Sequence, residues 1–138
     1  MGLLTAAEYS AVRAALDIQL TEDDLPDSVI EQPIYSGSAE LEVLARVADA
    51  ESKTGQAKRH LRNAVILLTA ALIAPAMPNL TSENIGSYQY SRAGVDWLKR
   101  AEELRARGEL ELARVEEADA TTPTRPTLFA TVAGRRGG

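Results

Sequence analysis

Residues 80–115 read LTSENIGSYQYSRAGVDWLKRAEELRARGELELARV, and the fold is read outward from this stretch. Its first part is polar and turn-forming: Ser82, Asn84, Gly86 and Ser87 all favour turns. Tyr88 and Tyr90 alternate with Gln89 and Ser91, a period of two that predicts a short extended piece or hairpin arm. From Gly94 or Asp96 onward the pattern becomes helical and runs to about Ala118. Trp97, Ala101, Leu104, Gly108, Leu112 and Val115 form one apolar stripe. Glu103 and Arg107 stand four apart, a spacing that supports a helix by a few tenths of a kcal/mol.

Upstream lies a second strong signal. Residues 64–77, AVILLTAALIAPAM, are almost wholly apolar and carry no charge. A helix apolar all round belongs in a core. Fourteen residues are too few to cross a bilayer, and Pro75 and Pro78 are expected to close the run. The helix is predicted to begin near Gln56, after a turn at Lys53, Thr54 and Gly55.

The amino-terminal half predicts two more helices. Thr5 and Glu8 have the spacing of a capping box, and Tyr9, Val12 and Leu16 share a face. An acidic loop, residues 20–28, follows. The next helix is expected from about Pro26 to about Ser52, with Ile30, Ile34, Gly37, Leu41, Leu44 and Ala48 as its apolar stripe. Pro33 and Gly37 predict an early break, and Gly37 on the stripe predicts close helix contact.

Residues 121–127 hold two prolines and four threonines, which forbid helix and favour extended chain. Residues 127–132, TLFATV, have strand propensity. The expected architecture is therefore all-α: a small bundle of about four helices, a short extended loop or hairpin before the last long helix, and an extended tail. Residues 1–119 form the helical domain and residues 120–138 the tail.

Composition narrows the chemistry. The 138 residues are 45% hydrophobic and 25% charged, which is ordinary for a globular domain. Aromatics are only 4%, so alanine and leucine fill the core and favour helices. With no cysteine, neither a disulfide framework nor a thiolate metal site can form. The amino terminus lacks the basic-then-apolar pattern of a signal peptide, and Ala6 breaks the myristoylation pattern.

No catalytic constellation emerges. His60 is the only histidine, and Lys58, Arg59 and Arg62 surround it, a poor setting for a metal cation. Nothing in the sequence places a carboxylate near it, so no Ser-His-Asp set assembles. Asp23, Asp24 and Asp27 lack the glycine and terminal glutamate of a calcium loop and read as a solvated acidic turn. No glycine-rich phosphate loop precedes a helix. The chain is read as a non-enzyme without cofactor or metal.

Charge is unevenly spread. The net value is −5, but residues 1–50 carry ten acids and two bases, and residues 51–92 carry five bases and two acids. Residues 120–138 carry three arginines and no acid. This asymmetry suggests two different contact surfaces, solubility being the plainer explanation. The basic run Lys53, Lys58, Arg59, His60 and Arg62 suits either nucleic-acid phosphate or the acidic half of a second copy.

At residues 81–94, TSENIGSYQYSRAG, the sequence resembles the head–tail connector proteins of long-tailed phages, also called adaptor or head-completion proteins. Ser82, Glu83, Ile85, Gly86, Tyr88, Tyr90 and Ser91 match a family segment reading roughly S-E-x-I-G-x-Y-x-Y-S. That segment lies between an apolar helix and a long last helix, and the likeness spans residues 5–115. The Pro33–Gly37 interruption, the acidic loop and the proline-rich basic tail depart from the family pattern.

The resemblance implies a structural subunit of a homo-oligomeric ring, commonly of twelve copies, within the virion at the head–tail interface. The ring would sit beneath the portal protein, hold stopper or tail proteins and extend the DNA channel. DNA would pass without specific binding, no membrane would be involved, and assembly would occur in the host cytoplasm. Expected subunit or portal contacts are Ser82, Glu83, Ile85, Gly86, Tyr88, Tyr90 and Arg92, with Thr127, Leu128, Phe129, Val132, Arg135 and Arg136 in the tail. Glu22, Asp23, Asp24 and Asp27 are expected to face the channel or the tail. The alternative is a small helical DNA-binding or packaging protein.

Overall fold

The computed structural model describes Leu4, residues 6–82 and residues 95–120. Among these residues the chain is all-α, a small helical bundle without strands. The expected extended piece at residues 88–91 and the tail from residue 121 lie outside the described residues.

Helix α1 spans Ala6–Leu16 and buries Val12 and Leu16. The loop after it turns back through Leu20 and Leu25, both buried. A single helical turn, α2, covers Asp27–Ile30. The long second helix expected from Pro26 is interrupted where Pro33 demands it. Gln32 is driven to an extended conformation (φ −62°, ψ 145°), because the residue before proline is disfavoured in the α region. The chain then forms a wide π-helical turn over Pro33–Gly37, where the Gly37 N–H donates to the Gln32 carbonyl. Helix α3, Ser38–Arg46, continues from it.

The stripe expected on this segment needs correction. Ile30 is buried, but Ile34 and Leu41 are each 64% exposed, and Ala48 is exposed. The buried face of α3 is Ala39 and Val43. The break re-phases the helix, so positions in register before Pro33 no longer share a face after it. Gly37 does not admit a close neighbour either: a Cβ there meets nothing nearer than the Pro33 Cβ, at 3.5 Å.

Helix α4, Gly55–Ile73, is the central element, and eleven of its residues are buried. The expected central core helix is borne out. The α-helix stops at Ile73, just before Pro75, but the chain keeps a helical path beyond it. A tighter 3-10 turn, Ala74–Ala76, leads into α5, Met77–Ser82, and each proline sits near the start of a turn, where its missing N–H costs no hydrogen bond. The run Gly55–Asn79 is thus long and apolar enough to cross a membrane, but 61% of its most apolar window is buried inside the bundle. Most of its apolar surface is covered by the other helices.

Helix α6, Trp97–Ala120, lies along α4 and makes the most extensive packing in the molecule. Asp96 caps it, accepting a hydrogen bond from the Lys99 N–H at 3.1 Å. The predicted stripe holds: Leu104, Gly108, Leu112 and Val115 are buried, and Trp97 and Ala101 are half-buried. Gly108 is where the Leu68 side chain of α4 packs directly onto the α6 backbone. A Cβ there would stand 2.9 Å from Leu68 Cδ2 and 3.1 Å from Leu68 Cγ.

The core falls into two clusters on either side of α4. Val12, Leu16, Leu20, Leu25 and Ile30 meet Ile66, Leu67, Ile73, Met77 and Leu104 in one. Ala39, Val43 and Val47 meet Leu61, Val65, Leu68, Leu112 and Val115 in the other.

Candidate interaction surfaces

Four charged residues tie α3 to α6. Arg105 reaches both carboxylate oxygens of Glu42, at 3.0 and 3.3 Å. Arg46 forms a two-pronged bond to Glu109, with Nη1 to Oε2 at 2.6 Å, and also touches Glu42 at 3.2 Å. The hydrogen bond from Arg105 holds the Glu42 carboxyl below its ordinary value, and that from Arg46 does the same for Glu109. The guanidinium pKa of both arginines is raised in return. Crossed forks of this kind fix the register of two helices.

Arg13 is the second polar feature. It is only 6% exposed, in the last turn of α1. Its Nε donates to the Leu25 carbonyl at 2.6 Å, and its Nη2 pairs with Asp27. A buried cation needs such partners, and here they hold the acidic loop against α1. Asp24 is also used internally, accepting from the Thr21 N–H at 3.1 Å and from the Thr21 hydroxyl at 2.8 Å. Of the four acids expected to face a channel or tail, Glu22 and Asp23 are exposed, while Asp24 and Asp27 help build the loop.

His60 has a carboxylate partner after all. Its Nδ1 lies 2.7 Å from Glu111 Oε1 on α6, and Glu111 also accepts from Arg114 at 3.1 Å. Fifty-one residues separate His60 from Glu111, so only helix packing brings them together. The pair links α4 to α6. Among the described residues no group of three or more metal-ligating side chains occurs.

Three other members of the basic run behave differently. Lys58 and Arg59 are exposed and Arg62 is half-exposed, and none has an ion pair among the described residues. Together they make a cationic surface on the first half of α4.

Among the described residues Ile18, Ile34, Leu41, Leu98 and Leu110 are exposed large apolar side chains, and two apolar features bear on assembly. Ile34 on the π-helical turn and Leu41 on α3 project outward. On the other side, a cleft of about 430 Å³ opens between α1, α4 and α6, lined by Ala11, Ala14, Ala15, Ile66, Leu67 and Arg107 among others. Sequence reading assigned Ile34 and Leu41 to the core and made nothing of the alanines.

Ser82 ends α5, and its side chain is outside the described set. The other expected contacts, Glu83, Ile85, Gly86, Tyr88, Tyr90, Arg92, Thr127, Leu128, Phe129, Val132, Arg135 and Arg136, also lie outside the described residues. Comparison with protein-family models, curated proteins and solved structures finds no match.

Proposed function

We propose that the chain is a structural subunit of a phage head-to-tail connector ring, joining the portal to the tail or stopper and extending the DNA channel. The observation that carries the reading is the segment Ser82, Glu83, Ile85, Gly86, Tyr88, Tyr90 and Ser91, set between the apolar α4 and the 24-residue α6. A compact helical body with apolar residues left on two faces fits an assembly role.

The mechanism is passive. Apolar patches supply contact area between copies, and charge complementarity sets their register. Acidic side chains such as Glu22 and Asp23, if turned to the channel, repel the DNA backbone and keep it from adhering. The test is native mass spectrometry of the protein and the portal protein of the same genome, each alone and together. A stoichiometric ring on the portal supports the reading and counts its copies.

One observation favours the second reading, a helical DNA-binding or packaging protein: Lys58, Arg59 and Arg62 stand together without an ion pair among the described residues. That reading expects DNA affinity that falls steeply with salt. Such binding, with no complex on the portal, refutes the connector reading.

A further inference from the structure

The two apolar surface features lie on opposite sides of the α4–α6 pair. On α6, Arg105 and Glu109 point to α3, whereas Arg107 lines the cleft beside α1. Helical residues advance about 100° each, so Arg105 and Arg107 diverge by about 200°.

The α3 side is a ridge. Ile34 and Leu41 are two helical turns apart and each is 64% exposed. Glu31 and Glu40 flank them and share the lining of a smaller cleft beneath, next to Tyr9. Negative charge gathers here: burial raises the Tyr9 pKa first, and Glu31, Asp27, Glu40 and Glu8 each add to the rise. The α1 side is a hollow. Its alanines leave the space that larger side chains would fill, and Arg107 and Glu111 both stand in its lining, Glu111 being already paired with His60 and Arg114. Arg62 is one turn from Ile66 along α4, and Arg59 is one turn from Asn63, so the cationic surface adjoins the hollow.

We propose that these surfaces are the two halves of one contact between copies, the acidic-flanked α3 ridge of one seating in the arginine-rimmed alanine cleft of the next. Apolar bulk meets an alanine-lined hollow, and Glu31 and Glu40 beside the ridge complement Arg107, Arg62 and Arg59 in and beside the hollow. Because the two patches differ and face opposite ways, the contact is heterologous. Repetition then closes a ring when the rotation per copy allows, and otherwise extends a filament. The inference rests on the ring reading above and adds which faces meet.

The chain has no cysteine, so single cysteines report contacts without background. Leu41→Cys and Ala14→Cys both alter exposed positions. The full-length variants are treated with a short bismaleimide in the presence of the portal protein, singly and mixed. The expected result is a cross-linked dimer in the mixture, its loss in either variant alone, and a ladder of higher species in the double variant. A dimer from one variant alone makes the contact isologous and overturns the proposal. Oligomers in native mass spectra without a cross-link in the mixture overturn the assigned faces and leave the connector reading standing. Monomers that never bind the portal refute both.

Discussion

Gly108→Ala is expected to destabilise the bundle although alanine is the better helix former. The magnitude follows from the helix contact. Carbon atoms pack best about 3.5–4.0 Å apart, and the new methyl would stand 2.9 and 3.1 Å from Leu68 Cδ2 and Cγ. Leu68 is completely buried among Ala64, Val65 and Leu112, so it has nowhere to retreat. Overpacking a filled core costs about 1–3 kcal/mol. Replacing glycine by alanine within a helix recovers about 1 kcal/mol. The net expectation is a loss of about 1 kcal/mol.

The sign should reverse when the obstacle is removed. Leu68→Ala deletes both clashing atoms and by itself costs about 2–5 kcal/mol. In that background Gly108→Ala should stabilise by about 1 kcal/mol, giving a coupling of about 2 kcal/mol between the sites. Urea titrations of the four proteins, followed by helical circular dichroism, measure this as shifts of midpoint at constant slope. If Gly108→Ala alone raises stability by the full propensity gain of about 1 kcal/mol, α4 and α6 are not held together at this point and the reasoning fails.

Three further outcomes are expected. Arg13→Met should cost about 1–3 kcal/mol in the same titration, because it leaves the Leu25 carbonyl and Asp27 without their donor; an unchanged midpoint counts against the anchoring role. Glu42 and Glu109 have lowered pKa values, so they bind fewer protons folded than unfolded, and their contribution is present above the ordinary carboxylate value of 4.5 and lost as pH falls below it. Glu42→Gln should therefore flatten the acid limb of stability against pH, by at most about 1 kcal/mol because the network is partly exposed, and an identical limb would refute this. Truncation after Ala120 should leave helical content and midpoint unchanged while abolishing attachment to the portal, as pull-down would show; normal attachment rules out a docking role for residues 127–132.

Much of the bundle was legible in local pattern. The apolar run of α4 and the stripe from Trp97 to Val115 both announced themselves, because helical periodicity is a property of neighbouring residues. Asp96 as a cap was equally local. The chemistry of the surfaces was far less legible. Ile34 and Leu41 matched a core stripe by spacing, yet Pro33 re-phased the helix and turned them outward. Pro75 does mark the end of α4, but the chain goes on through a 3-10 turn into α5, because a proline at the start of a turn is tolerated.

By itself, then, the sequence determined an all-α chain, its central helix and the buried face of its last helix, since each depends on contacts a few residues apart. Only the tertiary structure decided that Arg13 is a buried anchor, that His60 meets Glu111, that Gly108 and not Gly37 marks the close approach, and that α3 and α6 are joined by crossed arginine–glutamate forks. These pairings join distant parts of the chain, 12 to 63 positions apart for the polar ones. Residue spacing within one helix carries no information about which face of another helix will arrive opposite it.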